Sequence, residues 1–124
     1  MDIHTSAVGK TIIGSAIEVH AALGPGLLES VYEECLAREL SLRQVPFQRQ
    51  VPLPVFFKGV RLNCGYRVDF VVGDEIVVEL KTVERVMPIH HAQILTYLRL
   101  LKVKQAFLFN FNARRLMDGF KSFL

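Results

Sequence analysis

Asp69, Glu79 and Lys81 are the residues whose types and spacing point most directly to chemistry. Apolar and polar residues alternate from Leu62 to Val72 and again from Ile76 to Val83, which reads as two neighbouring strands. In the first, Leu62, Cys64, Tyr66, Val68, Phe70 and Val72 share one face, and Asn63, Gly65, Arg67, Asp69 and Val71 take the other. In the second, Ile76, Val78 and Leu80 continue the apolar face, opposite Val77, Glu79, Lys81 and Val83. A two-residue turn at Gly73-Asp74 would set Asp69 against Val78 and so pair a polar face with an apolar one. A loop of Gly73-Asp74-Glu75, or a bulge with the same effect, instead sets Asp69 opposite Glu79 and Phe70 opposite Val78, and that register is predicted. Two carboxylates and one ammonium then meet on one face. Carboxylates at cross-strand distance repel and raise each other's pKa unless a cation lies between them. Oxygen ligands of this kind suit a hard divalent ion such as Mg²⁺, which keeps several waters and takes only one or two protein carboxylates. A lysine beside such an ion can orient or deprotonate a bound water. The plainer alternative is a surface salt bridge of Lys81 with Glu79 or Asp69.

Two helical patterns add candidates. Gly26-Leu27-Leu28-Glu29-Ser30-Val31-Tyr32 forms GxxExxY, in which Glu29 and Tyr32 fall on one helical face. Gln93 and Tyr97, four residues apart, form QxxxY, and His90 is placed to share their face. Each has a structural explanation, since the macrodipole favours Glu near a helix N-terminus and a Tyr or Gln stripe is common at a core edge.

The elements that must position these residues follow from periodicity. Ile12, Ala16, Val19 and Leu23 predict a helix over 6–22, ended by Gly24-Pro25-Gly26, and Leu28, Val31, Cys35 and Leu36 predict a core-facing stripe on a second helix over 27–42. Val51, Leu53, Val55 and Phe57 alternate as a strand that Pro52 and Pro54 push to an edge, turning at Lys58-Gly59. Pro88 opens a helix to about residue 102 with Ile94, Leu98 and Leu101 inward. Gln105–Phe111 is a short aromatic strand, and 118–124 is either a further strand or a frayed end. The order helix, helix, three strands, helix, strand predicts an α/β fold of the mixed α+β kind, with a central mixed sheet flanked by helices.

In order, GxxE, D, ExK and QxxxY resemble the RecB-like branch of the PD-(D/E)XK nuclease superfamily, and more narrowly the small bacterial GxxExxY proteins. The resemblance runs from Glu18-Val19-His20 through Gly24-Pro25-Gly26-Leu27-Leu28-Glu29, Cys64-Gly65-Tyr66-Arg67-Val68-Asp69 and Val78-Glu79-Leu80-Lys81 to Asn110-Phe111-Asn112. It implies a restriction-endonuclease-like core with an extra N-terminal helix, and a nuclease that hydrolyses phosphodiester bonds with Mg²⁺ or Mn²⁺. It implies that Asp69, Glu79, the Leu80 carbonyl and Glu29, directly or through water, hold the metal. Lys81 would position the attacking water, and Gln93 and Tyr97 would steady Lys81 or the phosphate. The rival expectation is a non-catalytic nucleic-acid- or protein-binding module on the same fold.

Composition bounds these readings. The 124 residues make one domain's worth of chain, 1–124, with a globular balance of 51% hydrophobic and 22% charged residues. Net charge is only +3, but residues 1–42 hold two basic and six acidic side chains, against thirteen and six in 43–124. That asymmetry permits a basic face for nucleic acid, DNA first, beside the plain reading of solvated charge. The longest stretch without Asp, Glu, Lys or Arg is the thirteen residues Val86 to Leu98, too short for a bilayer crossing, and MDIHTSAVGK lacks a leader pattern. A cytoplasmic protein without membrane contact is expected, alone, as a homodimer or beside a protein partner. Cys35 and Cys64 fit neither a disulfide framework nor a metal knuckle. Gly9-Lys10-Thr11 is no P-loop, because His4 stands where that motif needs glycine, and the adjacent His90 and His91 diverge by about 100° on a helix and cannot chelate one zinc ion together.

Overall fold

A computed structural model describes residues 6–124. The reading of the first residues for a leader, and of His4, falls partly or wholly on residues outside these.

Helix α1 (Ala7–Leu23) starts where the Ser6 hydroxyl accepts the Gly9 amide at 3.0 Å. It buries Ile12, Ala16 and Val19 but leaves Leu23 largely exposed. The chain breaks at Gly24 and Gly26, whose φ values of 68° and 104° suit glycine. Helix α2 (Glu29–Leu42) follows. Its buried stripe is Tyr32, Leu36, Ala37 and Leu40, which corrects the expected one: Leu28 is 75% exposed and Val31 is exposed as well. The stripe is rotated because Tyr32 is anchored inward. Its hydroxyl donates to the Gly24 carbonyl at 2.5 Å and accepts from the Leu27 amide at 3.2 Å, and its ring stacks on Phe111 with centroids 4.5 Å apart. Tyr32 therefore does not share an outward face with Glu29; it fixes the loop that delivers Glu29.

The expected strand over 51–57 begins earlier and is broken in two, β1 (Phe47–Pro52) and β2 (Val55–Phe57). Pro52 and Pro54 have no amide to donate, so the ladder stops between them. The expected continuous strand over 62–72 is likewise split into β3 (Val60–Leu62) and β4 (Arg67–Val72), the chain bending at Gly65 with φ 74°. β2 and β3 form a separate two-stranded hairpin turned at Lys58-Gly59. β5 (Ile76–Lys81) pairs with β4 across the three-residue loop, with Phe70 opposite Val78 as the sequence predicts. Helix α3 (Pro88–Leu101) crosses to β6 (Gln105–Asn110), which lies parallel to β5. After a 3-10 turn at Leu116–Gly119, β7 (Phe120–Phe123) pairs antiparallel with β6, so the last segment is an edge strand.

The mixed sheet has the order β1-β4-β5-β6-β7. One face, with Phe70, Val78, Leu80, Phe107, Phe109 and Phe111, packs under α1 and α2. The other, with Val68, Val71, Val77 and Leu108, packs under Ile94, Tyr97 and Leu98 of α3. The expected mixed sheet flanked by helices is what the chain forms. No helix among the described residues is long and apolar enough to cross a membrane.

Candidate active site

The site lies where β4 and β5 come apart. In each strand successive residues should face alternate sides. Phe70 and Val72 do pack under α1 and α2, but Val68, two residues earlier, packs under α3. On β1 the same switch separates Phe47 from Val51. The paired strands roll over between these positions: Gln50 has φ 51°, and the β1–β4 pairing resumes only beyond Gln50 and Asp69. This corrects the single apolar face expected for 62–72.

Because of the roll, side chains replace backbone in the β4–β5 ladder beyond Phe70. The Asp69 amide donates to Glu79 Oε1 at 2.8 Å, and the Leu80 amide donates to Asp69 Oδ2 at 2.8 Å. Peptide groups along a strand point to alternate edges. The Lys81 carbonyl accepts from Phe111 on the β6 side, so the Leu80 carbonyl is turned toward the gap beside β4.

Glu79 is 6% exposed, and burial, followed by the charge of Asp69, pushes its pKa up to about 8 despite the Asp69 amide and Lys81. Burial also raises Asp69, against the opposing Leu80 amide. Glu29, at the first turn of α2, is raised by burial and then by Asp69, with Lys81 and the Thr82 backbone acting the other way. The favourable field of Lys81 reaches Glu29, Asp69 and Glu79 alike. Among the described residues the ion pairs are Arg43 with Glu39 and Arg49 with Glu33 and Glu34, so Lys81 makes no surface salt bridge of the kind weighed against the active-site reading.

From α3, Gln93 and Tyr97 line one cavity. The pKa of Tyr97 is raised by burial and then by the charges of Glu79, Tyr66 and Asp69. His90 is not among the residues lining that cavity. Its Nδ1 accepts the Met87 amide at 2.9 Å and caps the helix start, and burial followed by Lys81 lowers its pKa.

The sequence pattern of the PD-(D/E)XK nuclease superfamily matches residues 6–123. The chain belongs to this superfamily. No curated protein and no solved structure gives a significant match.

A PD-(D/E)XK site is expected to take a divalent metal, and the donors can be tested against one. Among the described residues no three His, Cys, Asp or Glu side chains converge closely enough to hold an ion together, so Glu29, Asp69 and Glu79 do not form a closed triad. The donors nearest one another are oxygens only, the carboxyl groups of Asp69 and Glu79 and the Leu80 carbonyl at the gap, and without a cation the two carboxyls are kept from ionising together. That chemistry fits a hard ion that completes its shell with water.

Sequence reasoning missed the support around this PD-(D/E)XK site. Gln50 Nε2 donates to Glu33 Oε1 at 2.6 Å and to Asp69 Oδ1 at 3.3 Å, and Arg49 holds Glu33 Oε2 at 2.6 Å. Glu33 was within reach of a sequence argument, since it lies one turn after Glu29. Asn110 ties down the chain after Lys81, its amide donating to the Val83 carbonyl at 2.8 Å and its carbonyl accepting the Val83 amide at 3.1 Å.

Proposed function

We propose that this PD-(D/E)XK protein is a divalent-metal-dependent nuclease of the RecB-like, GxxExxY kind, acting on the phosphodiester bonds of nucleic acid, DNA first, in the cytoplasm. It works alone, as a homodimer or beside a protein partner. The observation that carries the reading is the splayed β4–β5 pair, where Asp69 and Glu79 replace ladder hydrogen bonds with carboxylates and Lys81 follows two residues on. A structural sheet gains nothing by holding two buried carboxyl groups that raise each other's pKa there.

Asp69, Glu79 and the Leu80 carbonyl would hold Mg²⁺ or Mn²⁺, with Glu29 reaching it through water. When bound, such an ion polarises the phosphoryl oxygen and lowers the pKa of its water. Lys81 orients the attacking water through its ammonium protons. Tyr97 and Gln93 contact Lys81 or the phosphate, and Lys81 offsets charge that develops on the phosphoryl oxygens.

One observation favours the second reading, a binding module: Asp69 and Glu79 each already accept a backbone amide, and among the described residues no third His, Cys, Asp or Glu closes the set. Cleavage of single-stranded, duplex and branched DNA and RNA with Mg²⁺ or Mn²⁺ separates the two. Metal-dependent cleavage that EDTA and Lys81→Ala both abolish is expected. No cleavage together with no metal binding by calorimetry refutes the nuclease.

A further inference from the structure

Between the β2–β3 hairpin and α3 lies a cavity of about 400 Å³ whose lining includes Leu53, Val55, Tyr66, Gln93 and Tyr97. Its size is in the range of small-ligand sites. Tyr66 joins it to the site already described, because it directly precedes β4 and Asp69 follows three residues on. A second cleft, lined by Arg61 and Arg67, shares Leu53, Cys64 and Tyr66 with the first, so the two form one trough.

The hairpin extends the trough outward. Val55 pairs with Leu62 and Phe57 with Val60, so these four share a face with the cavity. Phe57, Val60 and Tyr66 are about 60% exposed (62%, 58% and 57%). Lys58 lies 5.5 Å from the Phe57 ring on this face, while the Arg61–Phe56 pair, 5.8 Å apart, takes the opposite face of the hairpin. Neither wall carries a carboxylate: residues 51–67 contain three basic and no acidic side chains, and 88–101 contain one and none. Exposed apolar surface rimmed by charge of one sign marks a binding surface. The complementary ligand has flat apolar faces on an anionic backbone. Duplexes conceal those faces by stacking, whereas single strands present them.

We infer that the trough binds single-stranded nucleic acid, seating an unpaired base against Tyr66 and Tyr97 while the adjoining phosphate lies at Asp69 and Glu79. The placement of the phosphate rests on the nuclease reading. The Gln93 amide, with both donors and an acceptor, faces the base edge.

The test uses the full chain carrying Lys81→Ala, with Mg²⁺ present, so that binding is read without cleavage, by fluorescence anisotropy of labelled oligothymidine and of a blunt duplex of equal length. Oligothymidine is expected to bind about tenfold tighter than duplex, and Tyr66→Ala and Phe57→Ala each to weaken it by about tenfold while changing duplex binding less than about twofold. Both side chains are mostly exposed, and thermal melts check that the variants fold. Lys104→Ala, in a different cleft bordered by α3, serves as the control and should shift both ligands alike. Equal affinity for the two ligands, an unchanged preference in folded Tyr66→Ala, or self-association without oligothymidine binding overturns the inference. Single-strand preference without metal-dependent cleavage sinks the nuclease and spares the trough. Cleavage of duplex, untouched by Tyr66→Ala, does the reverse.

Discussion

Glu79→Gln should make the metal-free protein more stable, by an amount that grows with pH. In the folded chain the Glu79 pKa is about 8, raised by burial first and by Asp69 second, against an ordinary value of 4.5 in the unfolded chain. Between about pH 5 and pH 7 the unfolded side chain is ionised while the folded one keeps its proton. The folded state thus binds more protons, and stability falls as pH rises. At about 1.4 kcal/mol per pH unit, the loss over that window is on the order of 2.5 kcal/mol, or about 10 °C in Tm for a chain of this size. Glutamine retains the acceptor for the Asp69 amide and offers Asp69 a donor in place of a charge. Two groups act with the opposite sign. His90, lowered from 6.5 by burial and then Lys81, gains stability as pH rises toward its unfolded value, and Glu34, held low by Arg49, loses stability on acidification. Both cancel when wild type and variant are compared at each pH. The assay is urea unfolding in EDTA at several pH values from 5 to 8. A stability difference between wild type and Glu79→Gln that stays constant across the window refutes the reasoning. Saturating Mg²⁺ should reverse the wild-type slope, because the ligands must lose their protons to bind it.

Tyr32→Phe keeps the stack on Phe111 but leaves the Gly24 carbonyl and Leu27 amide without their hydroxyl partner, so denaturant unfolding should show a loss of about 1–2 kcal/mol at unchanged m-value. Asn110→Ala removes the buried amide that bonds both backbone groups of Val83, and calorimetry should record a loss of about 2–3 kcal/mol. Gly119→Ala puts a Cβ 2.6 Å from the Asn110 carbonyl oxygen and 2.9 Å from Ala113 Cβ, so stability should fall by on the order of 1–3 kcal/mol through the β6–β7 edge, read as a lower Tm. Gln50→Gly relieves the φ of 51° but removes the bridge between Glu33 and Asp69. It should therefore lower the rate of metal-dependent cleavage while stability changes by less than about 1 kcal/mol, measured by single-turnover kinetics beside thermal melts.

The helices and the sheet core were legible because one residue period ran through each. Ile12, Ala16 and Val19 gave α1 its face, Pro88 its start to α3, and the charge argument over Gly73-Asp74-Glu75 fixed the β4–β5 register from the cost of facing Asp69 with Val78. Legibility failed wherever a single long-range contact outweighed periodicity. Leu28 and Val31 look better suited to a core than Tyr32 does, yet Tyr32 is inside because a hydroxyl held by Gly24 and a ring stacked on Phe111 together outweigh aliphatic burial. Neither partner lies within one helical turn of Tyr32, so no helical pattern could announce it.

The candidate site was legible in its residues and not in its construction, and the two facts have one cause. Asp69, Glu79 and Lys81 were found by assuming unbroken alternation, which places Asp69 with Val71 on the sheet face under α3. Had the strand obeyed that rule, its carboxylate would stand among apolar side chains with no amide to accept. The roll at Gln50 and Asp69 turns it into the gap between strands, where the Leu80 amide meets it at 2.8 Å and Glu79 faces its own amide. The break in period converts a buried charge that would unfold the sheet into a pair that the sheet can hold. Gln50 and Glu33 carried no signal of their own because their role exists only once the strands have turned.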